Sequence, residues 1–421
     1  MNIKLGNIFK GDKVIWMVFF FLCIVSVIEV FSASSTLTYK GGSYWGPVIK
    51  HTAILLLGVM AMIFVVNVPC RFFKIVTIPL LFLSAFFLVW AGIAGQATND
   101  ASRWVTFLGI PFQPSEIAKG TLVLTVAQVL SAMQTENGAD KQAMKYIMGI
   151  TSLFVIVIFL ENFSTAALLC LVFLMMMIVG RVPAQQIGKL MGGATIVVVS
   201  FLLLVLVIGK EVPKEDGKQQ LTEQVAEKEK PSTITKIFHR FDTWKARIIK
   251  FVHHEEVPPE EFDLDKDSQI GHSNIAIASS NIIGKGPGNS VERDFLPQAF
   301  SDFIYAIIIE EMGLIGGAFV AALYIILLFR VGRIAHRCEN NFPAFLIMGL
   351  ALLLVTQALF NMLVAVGLAP VTGQPLPLIS KGGTSSVINC IYIGVILSVS
   401  RTAKKRKEAD GKQMPEMAMV N

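Results

Sequence analysis

About ten stretches of this chain, each near 20 residues and almost free of charge, are long enough to cross a bilayer, and this limits the fold before any motif is read. A hydrocarbon core about 30 Å thick takes roughly 20 apolar residues as a helix. The composition agrees: 54% hydrophobic, 16% charged, mean hydropathy +0.63. The candidate spans are Val14 to Ser34, Val48 to Val68, Ile75 to Ala94, Ser115 to Met133, Met144 to Leu160, Ser164 to Gly180, Leu190 to Gly209, Phe303 to Phe329, Pro343 to Val366 and Thr384 to Ser400. The fourth is the weakest, because it carries Glu116 and Lys119. Backbone in lipid must satisfy its own hydrogen bonds, and these runs are too long and continuous for barrel strands, so helices are expected. The fold class is an all-α integral membrane protein with about ten transmembrane helices. Seven helices fall in residues 1–209 and three in 303–400. A large extracytoplasmic loop spans 210–302, and a basic cytoplasmic tail spans 401–421.

Orientation follows from Lys and Arg in the short loops. With a cytoplasmic N-terminus, the inside collects Lys4, Lys10, Lys13, Arg71, Lys74, Lys141, Lys145, Arg181, Lys189, Arg330, Arg333, Arg337 and the Arg401 to Lys407 cluster. The outer short loops hold little beyond Lys40, Lys50, Arg103 and Lys381. Both termini are therefore expected in the cytoplasm and the long loop outside. The pI near 9 is this positive-inside pattern, and cations spread over separate loops do not make a nucleic-acid footprint. The first apolar run shows no convincing small-residue cleavage pattern and reads as a retained helix rather than a signal peptide. Cys23, Cys170 and Cys390 fall inside spans and Cys70 and Cys338 at cytoplasmic ends, so no disulfide framework is expected. The pair His253-His254 is followed by Glu255-Glu256, and a solvated charged face is the stronger reading than a metal site.

Within the long loop, Lys210 to Lys230 is rich in Lys, Glu and Gln and buries little. From Ile234 to Phe251, apolar residues recur at spacings of three and four with Lys and Arg between them. That predicts an amphipathic helix, either lying on a membrane surface or packed on the rest of the loop. The run Ser279 to Ser290 contains Gly284-Lys285-Gly286-Pro287-Gly288. Clustered glycines permit close backbone approach, and N–H groups beside a Lys can hold an anion. The run lacks the spacing of a nucleotide P-loop.

These residues carry a resemblance. Gly284-Lys285-Gly286-Pro287-Gly288-Asn289-Ser290 is followed by Leu296-Pro297-Gln298-Ala299-Phe300-Ser301-Asp302-Phe303-Ile304 and by Glu310-Glu311-Met312-Gly313. Arg103-Trp104 stands ahead of Phe112-Gln113-Pro114-Ser115-Glu116-Ile117-Ala118-Lys119, and Gln357, Asn361 and Gly367 ahead of Gly373-Gln374-Pro375-Leu376-Pro377-Leu378-Ile379-Ser380-Lys381-Gly382-Gly383. In this order and over nearly the whole chain, the motifs resemble those of the SEDS family, which comprises FtsW, RodA and sporulation relatives. The resemblance implies a ten-helix bundle that polymerises glycan strands of peptidoglycan from lipid II, working with a class B penicillin-binding protein and other divisome proteins. The Gly288-Asn289-Ser290 and Leu-Pro-Gln-Ala runs are more similar to the division members than to the elongation members, which implies an inner-membrane protein at the septum. The chain departs from the family where Phe300-Ser301-Asp302 replaces His-Thr-Asp, where Glu161-Asn162-Phe163-Ser164-Thr165 replaces the Pro-Asp motif, and where Lys381 stands for Tyr.

The chemistry also follows from the residues. Joining two lipid-linked sugars needs a hydroxyl to attack an anomeric carbon as a lipid pyrophosphate leaves, and inversion needs one general base. Asp302, at the outer end of a span, is the expected catalytic base; its structural alternative is an N-cap for the helix that follows. Substrate-binding candidates for the pyrophosphate side are Arg103, Glu116, Lys119, Lys285, Ser380 and Lys381. An ionisable residue inside a span is costly, which singles out Lys119, although it could simply pair with Glu116 three residues earlier. Glu310 and Glu311 fall about two turns, roughly 12 Å, below Asp302; Glu311 is assigned a supporting role, as is Gln357. No metal-ligand spacing is present, and a divalent cation, Mg or Mn, is left open. Two other classes remain: a transporter that flips lipid-linked precursors, and a scaffold that only recruits a penicillin-binding protein.

Overall fold

The computed structural model describes residues 9–39, 45–94, 96–98, 101–107, 110–208, 268–296 and 301–417. Among them lie eleven α-helices: α1 (Lys13–Tyr39), α2 (Trp45–Val66), α3 (Cys70–Ala94), α4 (Pro114–Ala132), α5 (Lys141–Glu161), α6 (Phe163–Val179), α7 (Ala184–Ile208), α8 (Ser268–Ala278), α9 (Ile304–Ala335), α10 (Asn341–Ala365) and α11 (Thr384–Met417). All but α8 have 17 residues or more. Seven of these, α1, α2, α3, α5, α9, α10 and α11, are long and apolar enough to cross a membrane. With α4, α6 and α7 they make ten long helices among the described residues; α6 is shorter, at 17 residues, and α4 carries buried charge. The expected amphipathic helix from Ile234 to Phe251 lies outside the described residues.

The chain divides into two compact units. The larger comprises residues 1–184, 263–368 and 372–421; the smaller comprises residues 185–262 and 369–371, and α7 is its described helix. The larger unit is arranged for lipid rather than water. Leu56, Phe64, Phe82 and Ile93 on α2 and α3 are exposed, while Ser26, Glu29, His51, Ser84 and the polar residues of α4 are buried. α4 is the weakest span in the sequence for a structural reason. It packs against α3, α5, α6 and α10, so its Ser115, Glu116, Lys119, Thr121 and Thr125 face protein instead of hydrocarbon.

Small residues set the close helix contacts. α2 and α11 run side by side in the same direction: a Cβ on Gly58 would stand 2.8 Å from Cys390 Sγ, one on Gly394 would stand 3.0 Å from the Met62 carbonyl, and further along Ser398 donates to the Val68 carbonyl. This register brings Lys50, ahead of Gly58, level with Lys381, ahead of α11. A feature not expected from the sequence joins α3 to α4, an antiparallel sheet of β1 (Gln96–Thr98), β2 (Ala101–Phe107) and β3 (Ile110–Phe112) in that order.

The helix that follows Asp302 is broken. At Gly313 the backbone adopts φ 73°, ψ −178°, a region held almost only by glycine. Across this break the helical ladder is replaced by the glycine-rich run. Lys285 and Gly286 N–H donate to the carbonyls of Glu310 and Glu311 at 3.0 and 2.8 Å, and Leu314 and Ile315 N–H donate to the carbonyls of Asn281 and Ile282 at 3.3 Å each. The two chains touch backbone to backbone. A Cβ on Gly284 would stand 2.3 Å from the Gly313 nitrogen, and one on Gly313 would stand 2.2 Å from the Ile282 oxygen. The run thus enters the bundle to the level of Gly313, roughly 14 Å along α9 at 1.5 Å per residue. Two motifs that are separate in sequence, Gly284-Lys285-Gly286 and Glu310-Glu311-Met312-Gly313, form one structural element.

Candidate active site

Asp302 lies in the turn just ahead of α9, partly exposed. The N-cap position of α9 is Phe303, so the cap reading of Asp302 falls one residue short. With no helix around it, the turn is held by side chains from elsewhere. Asn361 Nδ2, on buried α10, donates to the Asp302 carbonyl at 2.9 Å and to the Gln374 carbonyl at 2.8 Å. Ser380 Oγ donates to the Ser301 carbonyl at 2.7 Å and accepts from Leu376 N–H at 2.7 Å. The Ser301 hydroxyl donates to Asp302 Oδ1 at 2.9 Å. Ser380, expected to bind substrate, is only 2% exposed and is engaged with main chain on both sides, so the structure places it as a brace of the turn.

Below this turn runs a buried polar ladder. Lys119 Nζ lies 2.7 Å from Glu116 Oε1 and donates to Gln357 Oε1 at 2.8 Å; Gln357 Nε2 donates to the Pro375 carbonyl at 2.9 Å. Gln374 Nε2 donates to Thr165 Oγ1 at 2.8 Å, and Thr165 N–H donates to the side chain of Asn162, the N-cap of α6. Lys119 is 1% exposed, which corrects the expectation that it meets a pyrophosphate: a buried ammonium needs a fixed counter-charge, and Glu116 one turn away supplies it. Gln357, expected as a supporting residue, links that pair to the 373–380 loop. Removing one partner strands a buried charge, so Lys119→Met is expected to cost about 3 kcal/mol. A thermal melt in detergent reads this as a lowered Tm, and Glu116→Gln/Lys119→Met should recover part of the loss.

Lys285 is also committed. Its Nζ lies 2.6 Å from Glu310 Oε1 and 2.9 Å from Ser279 Oγ, and Glu310 further accepts from Ser290 Oγ and from Val291 N–H at 3.1 Å. Glu311 accepts from the Ser32 hydroxyl and from Gly288 N–H at 3.0 Å, with Arg293 Nη1 3.8 Å away. Both acids are fully buried, and apart from Ser32 on α1 the partners given above come from residues 285–293. Glu311 thus anchors that run. Lys285 differs from Lys119 in that its side chain keeps 29% of its surface exposed while its ammonium is paired with Glu310.

Sequence reasoning passed over Arg293, Ser32 and Glu29. Arg293 Nη1 donates to the Ser32 carbonyl at 2.7 Å and hydroxyl at 2.8 Å, tying the loop to α1. Glu29, one turn before Ser32, is buried with neither carboxylate oxygen hydrogen-bonded among the described residues. It is the one acid between Val14 and Ser34, which was the available signal. Arg103 lies on β2, and its side chain lies outside what is described. Lys381 is exposed; partial burial, and secondarily Lys50, press its ammonium below the usual lysine range. Nearby, Ser26 Oγ bridges His51 Nε2 at 2.9 Å and the Ile379 carbonyl at 2.8 Å, which fixes α2 against the 373–383 loop. Lys50 was read only as an outer-loop charge.

The sequence profile of the FtsW/RodA/SpoVE cell cycle proteins matches residues 12–405. A probable peptidoglycan glycosyltransferase FtsW of Geobacter metallireducens is 30% identical over 415 residues, covering 96% of this chain and 99% of that protein. One of Enterococcus hirae is 26% identical over 423 residues, covering 98% and 99%. Among solved structures, a chain of a peptidoglycan synthase complex has a TM-score of 0.65 at 20% identity, covering 93% of this chain and 98% of that one. The rod shape determining protein RodA of Thermus thermophilus has a TM-score of 0.59 at 18% identity, covering 94% and 98%. At such identities the structural likeness is one of fold.

Proposed function

The chain belongs to the FtsW/RodA/SpoVE family, and from that membership and the geometry around Asp302 we propose that it polymerises lipid II into peptidoglycan glycan strands, with Asp302 as general base. The observation that carries this reading is a partly exposed carboxylate in a turn whose main chain is held by two buried side chains, Asn361 and Ser380. The acceptor sugar's hydroxyl oxygen attacks the anomeric carbon of the donor and passes its proton to Asp302. The bond from that carbon to the pyrophosphate breaks, and the lipid pyrophosphate leaves with the electron pair, inverting the centre.

The leaving group needs cations. Lys119 and Lys285 are paired with carboxylates, so Lys381, with Lys50 beside it and Arg103 on β2, takes this role in the proposal. A divalent cation, if used, would be held mainly by the pyrophosphate oxygens, since among the described residues no three His, Cys, Asp or Glu side chains could hold one. Lys381→Ala is expected to lower kcat/KM for lipid II at least about tenfold with a clear loss in kcat, because the contact strengthens as charge develops on the departing pyrophosphate. Lys381→Arg should retain most of the binding.

In this reading Asp302 faces outward, both termini are cytoplasmic, and the protein works at the septum of the inner membrane with a class B penicillin-binding protein. The test is glycan-strand formation from purified lipid II in detergent, with a partner whose transpeptidase nucleophile is dead. Detergent removes the two compartments that a flippase needs, so polymer supports the transferase. No polymer, with the partner bound, would return weight to a transporter or scaffold. Localisation of a fluorescent fusion separates septal from lateral-wall action.

A further inference from the structure

We propose that Ser301, Ser380 and Asn361 form one positioning device for the Asp302 carboxylate, an inference that rests on the reading of Asp302 as base. Residues 301 and 302 precede the helix, whose hydrogen-bond ladder begins at the Phe303 carbonyl, so the orientation of Asp302 comes from other bonds. Two consecutive carbonyls are each held by one buried side chain: that of Ser301 by Ser380 Oγ at 2.7 Å, and that of Asp302 by Asn361 Nδ2 at 2.9 Å. Both side chains also hold the 374–380 loop, Ser380 through Leu376 N–H and Asn361 through the Gln374 carbonyl. The same loop runs along the carboxylate, where a Cβ on Gly373 would stand 3.6 Å from Asp302 Oδ2. Position 373 has φ +67°, a left-handed conformation suited to glycine.

The third member acts on the side chain itself. Ser301 Oγ donates to Asp302 Oδ1 at 2.9 Å, fixing the rotation of the carboxylate plane. A hydrogen bond to an ionised oxygen is strong and directional, and a base displaced by about 1 Å can lose two orders of magnitude in rate. Ser380 locks the main chain of the residue whose hydroxyl does this, so the two serines act in series. Neither serine is a proton acceptor in this scheme.

The experiment compares wild type, Ser301→Ala, Ser301→Thr, Ser380→Ala and Ser301→Ala/Ser380→Ala in the lipid II assay with partner bound, measuring kcat, KM and Tm for each. Expected are a kcat about tenfold lower for Ser301→Ala with KM and Tm near wild type, recovery in Ser301→Thr, and a double variant little worse than the worse single one, as members of one unit behave. Unchanged kcat in Ser301→Ala, failure of Ser301→Thr to recover it, or losses that multiply in the double variant would overturn the device while leaving the polymerase reading intact. No polymer from wild type would overturn both.

Discussion

Asp302→Asn is expected to abolish glycan-strand formation while leaving the chain folded and able to bind its partner. The exchange keeps size and shape, and the bonds that hold the turn survive it: Asn361 donates to the main-chain carbonyl of residue 302, and Ser380 to that of residue 301. The new amide can place its oxygen toward the Ser301 hydroxyl, as Oδ1 lies now. What is lost is the ability to take a proton, worth about 10²–10⁴-fold for a general base. Asp302→Glu keeps the base but advances it by one methylene, so a partial rate is expected, between wild type and the amide. The measurement is product length and yield from lipid II, paired with Tm and partner co-purification. Equal polymer from wild type and a folded Asp302→Asn would remove this carboxylate from the chemistry.

The ten long helices were legible from hydropathy alone, though the short α8 was not, and even the weakness of α4 was visible as Glu116 and Lys119, because a charge in an apolar run stands out. The pair itself was readable from its spacing of three residues. Its third member, Gln357, was not, because the contact joins residues 238 apart. Ser380 and Lys285 illustrate a second limit. Sequence shows that a hydroxyl or an ammonium is present near the reacting end, but whether carbonyls or a carboxylate have already engaged it depends on the packing of distant segments. The docking of the glycine-rich run into the α9 break was hidden for a deeper reason. Four of its linking hydrogen bonds are between main-chain groups, which every residue carries, and the side-chain pairs that join them, Lys285 and Ser290 with Glu310, lie 25 and 20 residues apart. The sheet between α3 and α4 was missed because its strands of three, seven and three residues are too short to show a period.

Gly284 and Gly313 support the second large effect: Gly313→Ala is expected to lower Tm sharply and to remove polymerase activity without touching Asp302. At φ 73° and ψ −178° the new residue would sit in a region that costs non-glycine residues on the order of 1–3 kcal/mol. Its Cβ would also fall 2.2 Å from the Ile282 oxygen and 2.5 Å from the Ile283 carbonyl carbon, main-chain atoms that cannot rotate away. Either the loop withdraws or the helix rewinds, and both break the bonds from Lys285 and Gly286 to the Glu310 and Glu311 carbonyls. Withdrawal would strand two buried acids whose partners Lys285, Ser290 and Gly288 belong to that loop. Strain and lost pairing together should exceed about 3 kcal/mol. Gly284→Ala meets the same wall from the other side, with its Cβ 2.3 Å from the Gly313 nitrogen, and should behave alike. Gly149→Ala on α5 is the control, since nothing lies within 4 Å of its added methyl; there the helix should gain about 0.5–1 kcal/mol. Melts and lipid II assays on the three variants decide the matter. Wild-type Tm and activity in Gly313→Ala would show that the break in α9 does not depend on glycine and that the loop is not clamped there.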